Sequence, residues 1–598
     1  MTQSAHPLPP PRPAPDGVAA WRPVDPAGSG ATRLLCAGVY LDPVFRRRVI
    51  DELYVHEERV VAPSYGIDAA RVLAHALRAR RMEFGSAVVC LLVWCAAVKL
   101  SGGLFAVLLL PSLLLGVADR LRRRAREYVT GPDRLGPLTA LWWYAALVMA
   151  LEVTGLFVTA WQHGHEDRSV DGWVGLFNRT CSYVDFQYWL FSSGLREMFR
   201  ERAEPDVGGH SPAWGLLLFL LVLAGAAGLR RGAFARTMAG PLSTRRFGPK
   251  DEDLSERAVG ARFERIARAI RAGQHSPLIT YGVEQPFLGA GVAHKAWHMT
   301  VELRPRDGVE QDELTNQKLL ERVVPRIEKL RVPSPRSDSG APQAVLDRLR
   351  ELVVDECVFL PVTQVRRRSD VPQLPGLFAR HRAESVEEGG EERRHFLRIR
   401  VGGWQEDVVV TVFVRVHTQG GMLMLEVAPH VLLPVRRAFR RADEIAARHR
   451  DRNVLAKGAW ALAHAPDTLL DGLLGLFHGL RGLGQVLGAP GPRARAAAPR
   501  LAVRELASAR GASLFQDMDV DRYVKTVQDR ITSGVALALD EAGYETKEFE
   551  RKTVSLGAGS LYIESVHGSA VAFGDKATAR NRNETRRARA DRDALDED

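Results

Sequence analysis

Two histidines four positions apart, His294 and His298 in the run HKAWH, come nearest in this chain to a metal-binding or general-base pair. On a helix that spacing aligns two imidazoles on one face, but no HExxH glutamate accompanies them and their neighbours have strand composition. In a strand, positions four apart share a face yet stand roughly 13 Å from each other, so the pair is expected to face solvent or to be hydrogen-bonded in the core. Gly289-Ala290-Gly291 supplies the first half of a dinucleotide fingerprint, but it leads into a strand-like run rather than a helix whose N-terminus holds a pyrophosphate, and it reads as a turn. Gly568 to Gly574-Asp575-Lys576 has the wrong spacing for a phosphate loop and ends in Ala577, so no hydroxyl follows to hold magnesium. Ser192-Ser193-Gly194 and Ser560 lack the GxSxG elbow of an esterase. Asp467 and Asp471 share a helix face, but a carboxylate pair needs a pocket and no polar group is seen to converge on them. Cys36, Cys90, Cys95, Cys181 and Cys357 form no CxxC pair, so neither a zinc site nor a disulfide framework is indicated. The expectation is a non-enzyme with no catalytic residue, no cofactor and no metal.

Two further ionisable residues, Lys99 and Glu152, are notable because they sit inside apolar stretches, where a charge costs a few kcal/mol unless it finds a partner. A proton relay or ion path is one reading of Glu152; a protonated or hydrogen-bonded residue in a helix bundle is the preferred one. The stretches themselves cover 84–118, 137–161 and 213–229. Each is bordered by arginines, and about 20 apolar residues suffice to cross a bilayer. Basic loops next to a span stay on the cytoplasmic side. Arg78, Arg80 and Arg81 precede the first stretch, and Arg120, Arg122, Arg123, Arg124 and Arg126 follow it, with Lys99, Ser101, Gly102 and Gly103 at its centre. Basic flanks at both ends favour a hairpin, formed either by two thin-membrane spans or by a re-entrant pair. Residues 137–161 run outward with aromatic ends, 162–211 form an extracytoplasmic loop, and 213–229 return to Arg230 and Arg231. This topology gives three to four spans in the cytoplasmic membrane and places both termini in the cytoplasm.

The formal net charge is +11, with 72 arginines against ten lysines. Juxtamembrane arginine accounts for much of that excess, and a bias toward arginine, alanine and glycine reads as a GC-rich genome, so no nucleic-acid partner is expected. The opening residues MTQSAHPLPPPRPAPDG are rich in proline and contain no apolar core of a cleavable leader. Residues 1–30 are expected to be a disordered tail.

The rest of the chain must supply soluble modules. Residues 31–83 read as a cytoplasmic helical unit, with Asp42-Pro43 opening one helix and Asp68 capping another that runs into the membrane. Residues 254–272 are amphipathic, with Phe263, Ile266, Ala267 and Ile270 on one face. A cytoplasmic α+β domain spans 250–435. Strands are expected at 278–281, 297–303, 396–401, 407–417 and 422–427, helices at 313–330 and 343–354, and surface loops at 332–341 and 365–392. Gln419-Gly420-Gly421 signals a tight hairpin, because glycine supplies positive φ.

Residues 436–500 form a helical, amphipathic segment and linker. Within it, 468–488 carries Asp471, His478 and Gln485 every seven positions, a stripe of Gly472, Gly475, Gly479 and Gly482, and a broad leucine face. Glycine stripes permit close helix contact, and a wide apolar face suits an interfacial or membrane-inserting helix. The residues marked for insertion are Leu473, Phe477, Leu480, Gly475 and Gly479; a poorly helical hinge buried against the body stands beside that reading with equal weight. Residues 501–579 form a C-terminal module with a helix near 520–542 and a glycine-broken β run at 553–579, which pairs with a second copy, a partner or itself. Residues 580–598 are a charged tail. The fold class is thus multi-domain: an α-helical transmembrane region, a cytoplasmic α+β domain and a small helix/β module.

The phrases LCAGVYLDPVFRRRVIDELY, APSYGIDAARVLAHALRAR, LITYGVEQPFLGAG, VVVTVFVRVHTQGGMLMLEV and SAVAFGDKATARN resemble a family of actinobacterial multi-span membrane proteins with no established activity. The resemblance covers most of the chain and transfers no functional residue. Taken together, these features lead us to expect a membrane-anchored adaptor that holds a cytosolic protein complex at the lipid bilayer, either a signalling or stress assembly or a phage-tail-like contractile injection particle. A homo-oligomer is an open possibility. The alternatives are a membrane-perturbing cell-death effector acting through 468–488, and a transporter or channel subunit using Glu152 and Lys99.

Overall fold

Gly420 and Gly421, at φ 59° and 76°, close the longest hairpin among the described residues. The backbone there has the left-handed conformation that a two-residue reversal between twisted strands demands, and it pairs β6 (Val408–Gln419) with β7 (Met422–Leu432) from Gln419↔Met422 to Val409↔Leu432. In this computed structural model, described over residues 25–100, 108–128, 212–248, 253–257, 260–331, 351–371, 375–387, 392–403 and 408–557 apart from single positions, and in part over 139–154, that hairpin lies inside one curled seven-stranded sheet. The strand order is β1-β4-β5-β6-β7-β2, with β3 also on β7. The remaining strands are β1 (Leu278–Tyr281), β2 (Val292–Ala293), β3 (Trp297–Glu302), β4 (Val353–Pro361) and β5 (Arg394–Gly403). The β1–β4 pair is parallel and the other pairings are antiparallel.

The chain therefore has a multi-domain α/β architecture. Its helices, named for use below, are α1 (Gly30–Leu41), α2 (Pro43–Ile50), α3 (Ala69–Leu100), α4 (Leu109–Tyr128), α5 (Pro212–Ala239), α6 (Ala261–Gln274), α7 (Asn316–Glu328), α8 (Pro375–Val386), α9 (Arg437–Asp451), α10 (Val454–Ala463), α11 (Asp467–Leu487), α12 (Leu514–Glu541) and α13 (Lys547–Gly557).

Each face of the sheet has its own cover. Alternate residues Val410, Val412, Val414 and Val416 of β6 pack with α7, α12 and Phe549 in one core. The opposite face collects Phe359, Phe396 and Phe413 around Phe287. Tyr65 from the helical unit joins them, lying under the guanidiniums of Arg398 and Arg400. Arg398 makes a two-pronged pair with Asp355, both bonds 2.7 Å, and donates to the Tyr65 hydroxyl at 3.3 Å. Burial pushes the Tyr65 phenol up. This charged clasp fixes the sheet against the N-terminal helices.

The helical unit forms a third core. Ser29 caps α1, a helix for which no start is read in the sequence, and Asp42 caps α2 by accepting from the N–H groups of Val44 and Phe45. Asp68 accepts from the Ala70 N–H at the start of α3, as its position before the helix anticipates. Into this core come Met238 from α5, Phe263, Ile266, Ala267 and Ile270 from α6, and Phe439 from α9.

Four sequence expectations need correction. The amphipathic run 254–272 is broken at Gly260, whose φ of 89° ends the short Leu254–Arg257 turn before α6 begins. The helix expected through 354 is replaced over its last residues by β4, because β-branched and aromatic side chains there fill a strand buried between two neighbours. The loop expected over 365–392 contains α8, packed against β4 and β5. The β run expected from Thr553 starts instead inside α13, and its remainder, 558–579, lies outside the described residues.

Candidate functional site

The glycine stripe of α11 decides how the apolar helices assemble. A Cβ on Gly472 would meet Leu91 Cγ at 3.0 Å, one on Gly475 would meet Ala87 Cβ at 2.7 Å, one on Gly479 would strike the Phe84 ring, and one on Gly482 would lie 3.5 Å from Arg80. Positions rising along α11 thus meet positions falling along α3, so the two helices run antiparallel in near backbone contact. Trp94 Nε1 donates to Thr468 Oγ1 at 3.2 Å at the far end. The leucine face points the other way: Leu473, Phe477, Leu480, Leu483 and Leu487 are 43–78 % exposed. Placing five such side chains in hydrocarbon rather than water is worth about 5 kcal/mol, at roughly 1 kcal/mol for each half-exposed group.

Two helices are long and apolar enough to cross a membrane, Ala69–Leu100 and Leu217–Ala239. Both also enter the helical core without a break. From Ala69 to Ala79, α3 is almost entirely buried, whereas Val89, Leu92 and Leu100 further along are exposed. The part beyond Ala79 measures roughly 31 Å at 1.5 Å per residue, close to a hydrocarbon layer of about 30 Å. Likewise α5 exposes Leu217, Leu218, Leu221 and Val222, then continues through Arg230 and Arg231 to bury Met238. Of the stretch 137–161, the described residues between 139 and 154 are helical. Glu152, residues 155–161 and the loop 162–211 lie outside the described residues. Lys99 is exposed at the end of α3.

The topology arginines do more than mark a boundary. Arg120 of α4 and Arg230 of α5 both pair with Asp471 of α11, so one carboxylate ties three helices. This corrects the expectation that nothing polar converges on Asp471; the partners lie about 240 and 350 residues away in sequence, and local patterns carry no trace of them. Arg122 stands 4.7 Å from the Trp142 ring and 3.5 Å from Asp119, and Arg231 stacks 4.0 Å over Trp460. Arg123 and Arg124 lie on α4, and their side chains are outside the described set.

The residues first considered for chemistry are accounted for by structure. His294 Nε2 donates to Asp521 Oδ1 at 2.9 Å, beside Lys295 Nζ, which donates to the same oxygen at 2.7 Å, while His298 lies on β3. Gly289 and Gly291, at φ 102° and 100°, form a turn whose two N–H groups donate to Glu505 Oε1 at 2.8 and 2.7 Å. Burial pushes the Glu505 carboxyl up, against the pull of those two donors. Among the described residues, no three His, Cys, Asp or Glu side chains are placed to hold a metal ion.

One constellation escaped the sequence reading. His75 Nε2 lies 2.9 Å from Asp253, and its Nδ1 lies 3.4 Å from Ser255 Oγ and 3.2 Å from the Tyr40 hydroxyl. Ser, His and Asp thus meet in the order of a hydrolytic triad. However, His75 and Ser255 are fully buried, and Arg78 donates to Ser255 Oγ at 2.9 Å, so no substrate reaches the hydroxyl. Arg71 completes the network at 3.0 Å from Asp253. Burial pushes the Asp253 carboxyl up, but bonds from His75, the Ser255 N–H and Arg71 outweigh it and hold the group well below the usual carboxylate range. The cluster locks α3 to the segment entering α6.

Residues 296–571, a little under half of the chain, match a family model described as an AbeC-like domain. The match begins at β3 and runs through the rest of the sheet to α13, with α11 and Asp471 inside it; β1 and β2, which pair into the same sheet, lie before it. No curated protein and no solved structure matches the chain.

Proposed function

We propose that this chain is a non-catalytic membrane-seated adaptor, of the actinobacterial multi-span kind its phrases resemble, with three to four membrane segments and a cytoplasmic α/β body that binds a protein complex. The observation that carries the reading is the continuity of α3 and α5. Each leaves an exposed apolar surface and enters the buried core as one helix, so the body is held rigidly at the bilayer rather than on a flexible tether. For binding, the body offers a patch at the start of α12, where Leu514, Phe515 and Met518 are 60–73 % exposed. The ion pairs of Asp521 with His294 and Lys295 fasten this patch to the β2–β3 turn, near exposed Val292. Apolar residues grouped on one surface mark a protein contact more often than isolated ones do.

The effector alternative requires α11 to insert on a trigger. Its glycine face is already committed to α3, which favours a permanent seat.

The test is affinity purification of the full chain from detergent-solubilised membranes, comparing wild type with a Phe515→Glu, Met518→Glu double variant. Loss of co-purifying proteins from the variant, with membrane sedimentation unchanged, supports the adaptor. An identical set of co-purifying proteins refutes this surface, and a chain that stays in the high-speed supernatant without detergent refutes the membrane seat.

A further inference from the structure

The polar edge of α11 gathers arginines from α2, α4 and α5 and runs beside an exposed apolar face. Asp471, His478 and Gln485 recur along that edge. Arg46 and Arg47 of α2, Arg120 of α4 and Arg481 of α11 itself all lie close enough to act electrostatically on the His478 ring, and Arg230 reaches Asp471 from α5. Among the described residues, two carboxylates make ion pairs with these five guanidiniums, Asp471, shared by Arg120 and Arg230, and Glu83, paired with Arg46, while Asp42 also acts on Arg46. Positive charge therefore exceeds negative charge here, and Arg120 Nη1 is buried with no hydrogen-bond partner among the described residues. A buried guanidinium N–H without an acceptor is costly, and it marks where an acceptor from outside the chain belongs.

Immediately beside the groove run Leu473, Phe477 and Leu480, each about half exposed. A ligand that satisfies both features carries a phosphate anion on a long apolar chain. Arginine suits the anion, since its planar fork donates two bonds to one phosphate, and basic pockets between membrane helices on the cytoplasmic side are where anionic headgroups bind.

We propose that the groove between α2, α4 and α11 is a binding site for an anionic phospholipid, with Arg120, Arg47 and Arg481 on the headgroup phosphate and Leu473, Phe477 and Leu480 along an acyl chain. This rests on the membrane seat argued above and deepens it: the bilayer contact becomes selective for lipid charge.

The experiment uses delipidated, detergent-solubilised full-length protein, titrated by native mass spectrometry with phosphatidylglycerol, cardiolipin and phosphatidylcholine of matched acyl chains. Wild type should bind the two anionic lipids about tenfold more tightly than the zwitterionic one, as one or two uncompensated arginines near a headgroup supply. An Arg47→Gln, Arg481→Gln double variant, in which the Asp471 contacts are left in place, should lose that preference and keep its phosphatidylcholine affinity. Equal affinity for all three lipids in wild type overturns the proposal while leaving the membrane seat intact, and so does an unchanged preference in the variant. Complete displacement of phosphatidylglycerol by millimolar inorganic phosphate also overturns it, since the site then serves a free anion. Loss of phosphatidylcholine binding by wild type counts against the membrane seat itself.

Discussion

Adding one methyl group to α11 should have opposite effects at two glycines. In an open helix interior, glycine to alanine stabilises by about 1 kcal/mol, because glycine loses the most backbone freedom on folding. Gly484 is such a position, with nothing within 4 Å of an added Cβ, and Gly484→Ala should tighten α11 by about that amount. At Gly475 the same methyl group would sit 2.7 Å from Ala87 Cβ, whereas carbon atoms pack at about 3.5–4.0 Å. The helices must part by about 1 Å. Because Gly472 and Gly479 hold the same seam on either side, parting loosens the whole contact. Overpacking of this kind costs about 1–3 kcal/mol, so Gly475→Ala should end about 1–3 kcal/mol below Gly484→Ala. The assay is hydrogen–deuterium exchange of the α11 amides in the solubilised protein, where that gap appears as roughly a 5- to 150-fold difference in protection. Removing the opposing methyl group with Ala87→Gly should recover part of the loss, as contacting residues couple. Equal protection in the two alanine variants would show that α11 does not lie on α3 through its glycines.

Other consequences can be checked independently. Burial pushes the Glu356 carboxyl up, but bonds from His395 and Arg382 outweigh it and bring it down to about 2 from an ordinary 4.5, so its stabilisation is complete above pH 4.5 and lost as pH falls toward 2; Glu356→Gln should flatten the acid unfolding profile there, and an unchanged profile refutes the pairing. Gly291→Ala, which forces a side chain into a φ of 100° against the Val431 carbonyl, should cost more than about 3 kcal/mol from strain and clash together, read as loss of folded protein; wild-type yield would contradict the turn geometry. Glu505→Ala leaves the Gly289 and Gly291 N–H groups without their acceptor and should lower stability by about 1–3 kcal/mol per group, measured by thermal unfolding, while a wild-type transition would mean that the carboxylate does not hold the turn. Asp471→Asn removes the charge shared by Arg120 and Arg230; given partly exposed partners the loss is about 1–2 kcal/mol, and it should appear as faster amide exchange at Leu115–Arg122 and Leu229–Arg236, with unaltered exchange there ruling out the three-helix tie.

Local patterns were sufficient wherever the cause was local. Asp42 and Asp68 announced helix starts, the Gln419-Gly420-Gly421 reversal and both strands flanking it were readable from alternation and turn chemistry, and the glycine stripe of α11 permitted a close helix contact without choosing it over a hinge. Composition likewise marked α3 and α5 as apolar enough for a membrane. These signals work because caps, turns and helix faces are set by residues within a few positions of one another. Three-dimensional folding alone decided which partners meet. β4 was mistaken for the end of a helix because its burial comes from β1 and β5, about 80 and 40 residues away, and a strand covered on both sides has no alternation to read. The sealed His75–Asp253–Ser255 network and the Arg120–Asp471–Arg230 tie join residues up to 351 positions apart; each side chain alone is an ordinary surface or core residue, and its role exists only once low-dielectric surroundings make an unpaired charge costly.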